Sequence, residues 1–334
     1  MSNQANKDER LEYLRVFSCF MVILGHIANW YMREYPDLPM HSYIYSIFVN
    51  GICRVSVPIF FMISGALILE QQTDYKKNIK RTLNMLSKTV VWTLVYIVWN
   101  FLYLGDKYEL KTMFSQPVRV HFWFLFVMVG IYATIPLWQK LVSGDSKELL
   151  RYFSLLYIGV TAISFIIRLN KMPVAYEIPL VGGSCYAGLF IMGYVIRHYI
   201  DEIKIKKWIS VIVILSCVTL TILLTLLYTL KQGRHFEEFS SFKSIFIVLA
   251  ALSVFYLVMK ANNLKHFTWM SVISKHSFGI YMIHVFFLDI LQQNIDVTKI
   301  SAFIGTPIFF VVLLALSLAF SWIYEKAKGG IQAI

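Results

Sequence analysis

From Leu11 to Tyr324 the chain is a succession of apolar runs, each about 20 residues long, separated by short polar connections. A helix of that length rises about 30 Å, the thickness of a hydrocarbon core. The runs lack the two-residue alternation of a membrane barrel, and a helix satisfies its own backbone polar groups in lipid. The pattern therefore predicts an all-α polytopic bundle of about ten spans, at residues 11–31, 47–69, 85–104, 121–141, 150–168, 181–200, 208–230, 242–260, 271–293 and 301–324. No fixed-period repeat is visible, and no connection is long enough for a soluble domain, so residues 1–334 are expected to form a single membrane domain.

Composition agrees. Of the 334 residues 58% are hydrophobic and only 15% charged, with a mean hydropathy of +0.63, too apolar for a domain with a watery surface. The net charge of +12 would suit nucleic acid if the basic residues gathered on one folded face. Instead they sit in the connections, where alternate loops carry about 19 and about 10 Lys and Arg. The richer side holds both termini, which are expected to be cytoplasmic. The sharpest contrast is between YKKNIKR after the second run and EYPDLPMHS after the first. Cys19, Cys53, Cys185 and Cys217 all fall inside apolar runs, where thiols behave as small hydrophobes, and no zinc spacing appears. The first run ends in HIANWYM without a small-residue cleavage site, so it is expected to remain as a span.

Ionisable residues inside spans are costly and call for an explanation. Arg15 and His26 lie eleven residues apart, three helical turns plus about 20°, so they share one face about 16 Å apart along the axis. With a cytoplasmic N-terminus, Arg15 lies near the inner interface and His26 beyond the midplane. Two readings stand side by side: a snorkelling arginine with a packing histidine, or a face that links the two compartments. Cys19 shares that face and is read as packing. In the second span, RVSVPIFFMISGALI carries Arg54 close to its outer end, with Ser64 and Gly65 deeper, where small residues usually let helices approach. Lys77 and Arg81, four apart beside Lys80, are a topology signal or a phosphate-holding helical face. His121 and Trp123 in HFWFLF suit an aromatic belt or a sugar-stacking platform. Tyr281 and His284 in SKHSFGIYMIHVFFL are three apart and are expected on one face. No metal ligand set or Gly-rich phosphate loop is apparent, and no metal is expected.

Four segments taken in order resemble the acyltransferase-3 family of bacterial membrane proteins. They are EYLRVFSCFMVILGH with Glu12, Arg15 and His26, then RVSVPIFFMISG, HFWFLFVMVGIYATIPL and SKHSFGIYMIHVFFL. One departure stands out: where many members carry paired arginines at the foot of the third helix, this chain has Lys77, Lys80 and Arg81. The resemblance implies an O-acyltransferase in a bacterial cytoplasmic membrane that moves an acyl group, most often acetyl, from cytoplasmic acyl-CoA to a hydroxyl of an envelope or exported glycan. It implies acyl-CoA as a co-substrate rather than a resident cofactor, a lipid-linked saccharide or glycan as partner, and room for self-association. It makes His26 the general base and Arg15, Lys77, Lys80 and Arg81 contacts for acyl-CoA. Glu12, Arg54, Ser64, His121, Trp123, Tyr281 and His284 become supporting or acceptor-side groups. A polysaccharide or glycolipid exporter is the alternative, although no inverted repeat supports it.

Overall fold

The computed structural model describes residues 8–71, 74–106, 116–143, 147–170, 186–262, 264–265 and 267–331. Among them the secondary structure is helical throughout, with no strand. The chain divides into two compact units, Met1–Ala66 with Arg151–Ile334, and Leu67–Leu150.

In the first unit α1 (Glu9–Arg33) is the central post. Asp8 caps its N-terminus by accepting from the Arg10 backbone N–H at 3.2 Å, and Glu9 and Glu12 in the first turn complement the helix dipole. Leu14, Ile23, Ile27 and Tyr31 are fully buried. Around α1 pack α2 (Met40–Cys53), α10 (Ile245–Met259), α11 (Thr268–Asn294) and α12 (Ala302–Ile331). α9 (Lys207–Gln232) closes against α2 and α10, and ends at Gly233, whose φ of +68° a side chain would strain.

α3 (Ser56–Ile68) follows α2 after a break at Arg54 and Val55. Its small residues do what small residues in membrane helices are expected to do. A Cβ on Gly65 would lie 1.6 Å from the Phe190 carbonyl oxygen, and one on Gly193 2.0 Å from that of Met62, so α3 crosses α8 (Tyr186–His198) at backbone contact. α7 (Lys147–Leu169) reaches α8 at a second glycine, where a Cβ on Gly188 would meet the Tyr157 ring.

The second unit holds α4 (Tyr75–Trp99), prolonged by a π turn over Asn100–Leu104, and α5 (Trp123–Ala133) with α6 (Ile135–Val142). Between α5 and α6 the chain bends by 60° at Thr134. Pro136 has no N–H to return to the Tyr132 carbonyl, and the Thr134 hydroxyl folds back on the Gly130 and Ile131 carbonyls and accepts from Trp138 Nε1 at 2.8 Å.

Among the described residues eight helices are long and apolar enough to cross a membrane, or nine with the bent α5–α6 pair counted as one span, against the expected ten. The difference is at residues 181–200, where the described helix is the 13-residue α8 and residues 171–185, Cys185 included, lie outside the described set. Two boundaries also move. The second span starts at Met40 rather than 47, because Ser42 and Ser46 are internally satisfied: the Ser46 hydroxyl donates to the Ser42 carbonyl at 2.8 Å, and the Ser42 hydroxyl accepts from the Ala302 N–H. The third starts at Tyr75 rather than 85, since the basic run is itself the first turns of α4.

Candidate active site

α1 and α11 run side by side and meet at two polar levels. At the lower one, Arg15 Nη1 donates to Ser274 Oγ at 3.2 Å, with Glu12 buried one turn below. At the upper one, the rings of His26 and His284 pack at 5.1 Å between centroids, inclined by 57°. Eleven residues separate the two levels on α1 and ten on α11, so the helices are parallel and the levels are about 15 Å apart. Between them, Cys19, Val22, Ile23, Phe60, Ser277, Ile280, Tyr281 and His284 enclose a cavity of about 10 Å³, room for one water. The expected shared face of Arg15 and His26 is thus the face that α11 covers, and Tyr281 and His284 do line one cavity, their rings 6.0 Å apart.

His284 is wholly buried, with Nδ1 3.1 Å from the Ile280 carbonyl oxygen. A carbonyl can only accept, so Nδ1 carries the proton and the neutral ring keeps its lone pair on Nε2. His26 is half-buried and feels the charge of Arg54 and Arg33 as well as its histidine neighbour.

Arg54 corrects the sequence reading. It was expected close to the outer end of its span but stands at the α2–α3 break, well inside the segment Met40–Ile68. Cys53 lies against Gly25, where a Cβ would be 3.4 Å from its own, and its Sγ is 3.6 Å from Met21 Sδ, which sets the break at the height of His26. Arg54 Nε donates to Asn50 Oδ1 at 3.0 Å, and the guanidinium lies over the Phe242 ring, 5.0 Å from its centroid. Ser64 bonds back to the Phe60 carbonyl at 3.0 Å within its own helix.

Below Arg15, an open cleft of about 720 Å³ is lined by Asp8, Glu9, Arg10, Ala261, Asn262 and Leu264. Arg10 Nε donates to Asp8 Oδ1 at 2.9 Å and its Nη1 to the Met259 carbonyl at 2.9 Å, while Arg197 Nε lies 3.5 Å from Asp8 Oδ2. Burial pushes the Asp8 carboxyl up, but the hydrogen bond and charge of Arg10, with the charge of Arg197, outweigh it and hold the group below its ordinary range. The Tyr13 hydroxyl donates to the Lys265 carbonyl across the same cleft wall.

In the second unit Lys77 and Lys80 are exposed on the first turns of α4. Arg81 instead reaches Asn78 Oδ1 and Gln71 Oε1, each at 3.4 Å, and Asn78 Nδ2 donates to Gln139 Oε1 at 3.3 Å. His121 is buried edge-on to Tyr96 at 5.5 Å, and Trp123, half-buried, opens α5. Of the expected site residues, the first unit therefore gathers Arg15, His26, Arg54, Tyr281 and His284, with Glu12 buried below Arg15. Lys77, Lys80, Arg81, His121 and Trp123 belong to the second unit.

Sequence reasoning missed Ser274, Asn50 and Phe242. Asn50 was legible, lying four residues before Arg54 and hence on its helical face. Ser274 opens the segment SKHSFGIYMIHVFFL, but its pairing with Arg15, like that of Phe242 with Arg54, joins distant elements and carries no local signal. Among the described residues no cluster of His, Cys, Asp and Glu can hold a metal.

Residues 8–326 match the acyltransferase-3 family model, described as an acyltransferase domain. No curated protein and no solved structure matches the chain.

Proposed function

The chain belongs to the acyltransferase-3 family and is a multi-pass membrane acyltransferase; from that premise we propose that it transfers an acyl group from acyl-CoA to a glycan hydroxyl, with His26 as general base. The observation that carries this reading is the two-level seam of α1 and α11, a cation at one level and a histidine pair at the other. Acetyl is the favoured group, the acyl group that the family resemblance most often implies. The acceptor is a hydroxyl of an envelope or exported polysaccharide, and the membrane is the bacterial cytoplasmic one, with both termini inside.

The donor enters at the foot of α1. The cleft beside Arg10 takes the nucleotide end of CoA, and Arg15 meets a phosphate or the pantetheine arm by charge-assisted contacts. The thin arm then follows the seam toward His26, a rise of about 15 Å. There the acceptor hydroxyl gives its proton to neutral His26 while its oxygen attacks the thioester carbonyl carbon. Collapse of the adduct breaks the C–S bond, and the CoA thiolate takes the proton back from His26. His284, whose ring packs against that of His26, is the neighbour that holds the base in place. Tyr281 closes the cavity beside it.

The test is labelled acetyl transfer into envelope glycan by membranes carrying the full chain. His26→Ala is expected to fall by about 10² to 10⁴ in rate while still binding acetyl-CoA. Normal glycan acylation by that variant sinks the mechanism, and loss of the glycan itself in a deletion strain favours export.

A further inference from the structure

Arg54 stands where a membrane span breaks. Pro58 has no N–H to return to the Arg54 carbonyl, and its ring crowds that carbonyl, so the helix turns out of register at Arg54 and Val55. Broken spans in membrane proteins are tolerated where they face a protein interior, and such places line ligand sites. This one lies at the height of His26, because Cys53 rests against Gly25 and Met21.

The guanidinium is held on two sides, by Asn50 through Nε and by the Phe242 ring beneath its plane. Neither hold uses Nη1 or Nη2, and no other hydrogen bond or ion pair engages the group among the described residues. Glu237 acts on it only from beyond ion-pair distance. A permanent cation within a span, anchored by its stem side with its fork left over, is a donor pair fixed in advance for a negative charge.

We propose that Arg54 donates this fork to the acyl carbonyl oxygen and stabilises the oxyanion formed during transfer. The inference rests on His26 being the base. As the hydroxyl oxygen bonds to the carbonyl carbon, its proton passes to His26 and the π electrons move onto the carbonyl oxygen. That oxygen is the one site of new negative charge in the step, and it forms within a bond length of the carbon that the His26-activated hydroxyl attacks. Arg54 Nη groups meet it. When the C–S bond breaks, the charge leaves with the thiolate, which His26 reprotonates, and the fork is free again. An anion fixed on the acceptor would need the same fork, but it would not call for the rigid double anchoring beside the base. Preorganised donors of this kind are worth about 10² to 10³ in rate.

The experiment uses the full chain in membranes from a deletion strain, labelled acetyl-CoA as donor and the native envelope glycan as acceptor. Arg54→Ala is expected to lose about 10² to 10³ in kcat, with KM for acetyl-CoA within about threefold, and Arg54→Lys to recover part of the rate. Asn50→Ala keeps the charge but frees Nε, and is expected to cost about tenfold in kcat at unchanged KM. It decides the matter if Arg54→Ala fails to fold. Full rate in Arg54→Ala overturns the proposal. So does a loss repaired by excess acceptor membrane, which would mark an acceptor-anion contact, or a loss of acetyl-CoA binding. Transfer by His26→Ala would instead remove the underlying reading, whereas an inactive His26→Ala beside an active Arg54→Ala would remove this proposal alone.

Discussion

Arg15 and His26 occupy the same helical face, yet their surroundings give them different work. Arg15 has a hydroxyl partner in Ser274 and stands one to two turns above the cleft residues Asp8, Glu9 and Arg10 on α1, whereas His26 has an aromatic partner and a cationic neighbour. Arg15→Ala is therefore expected to weaken acetyl-CoA binding by about 10- to 100-fold, the worth of a charge-assisted contact, while His26→Ala leaves that binding intact. Titration of purified chain with acetyl-CoA separates the two. Cys19 lines the cavity as a buried free thiol, and Cys19→Ala should keep transfer within about threefold. Abolished transfer would point to an acyl-cysteine.

His235 lies in the connection after α9, its Nδ1 2.7 Å from the Tyr43 hydroxyl. Burial pushes its imidazolium below the ordinary 6.5, with Glu237 opposing and the Arg54 charge adding to the shift. A depressed histidine contributes stability that is whole above 6.5 and is lost as pH falls through the window below it. The melting temperature of the native chain should accordingly drop more between pH 7 and pH 5 than that of His235→Phe. Equal slopes would show that the histidine is charged in the fold.

At the scale of elements, glycine placement separates packed helix crossings from open faces. Gly65→Ala puts a Cβ 1.6 Å from a backbone oxygen that has no rotamer with which to yield, so α3 and α8 must part, at a cost of about 3 kcal/mol or more. Gly159→Ala meets nothing within 4 Å and should gain up to about 1 kcal/mol of helix propensity. Melting of the two variants in one detergent tests the contrast. Pro58→Ala restores an N–H for the Arg54 carbonyl and is expected to straighten the break, lowering transfer rate more than stability.

For the molecule as a whole, the alternation of spans and the excess of Lys and Arg on one side are the grounds on which we propose that both termini are cytoplasmic. Reporter fusions at the two ends should report the same compartment, and a split result would mean an odd number of crossings. The bent α5–α6 pair and the short α8 are where such a miscount would arise.

The architecture was legible because hydrophobic length is a local property: about 20 apolar residues must span, whatever their neighbours do. The helical face shared by Arg15 and His26 was legible for the same reason, since 3.6-residue periodicity is intrinsic to one helix. Hydropathy misjudged Met40 because Ser42 and Ser46 find their partners inside the protein, which an average over the sequence does not register. The partners of the site residues lay further out of reach. Ser274 is 259 residues from Arg15, and His284 even further along the chain from His26 than Phe242 is from Arg54. Which faces of α1, the α2–α3 break and α11 meet is decided by packing among whole helices. Only that packing turned a costly pair of ionisable residues into an anchored cation, a histidine pair and a seam between them.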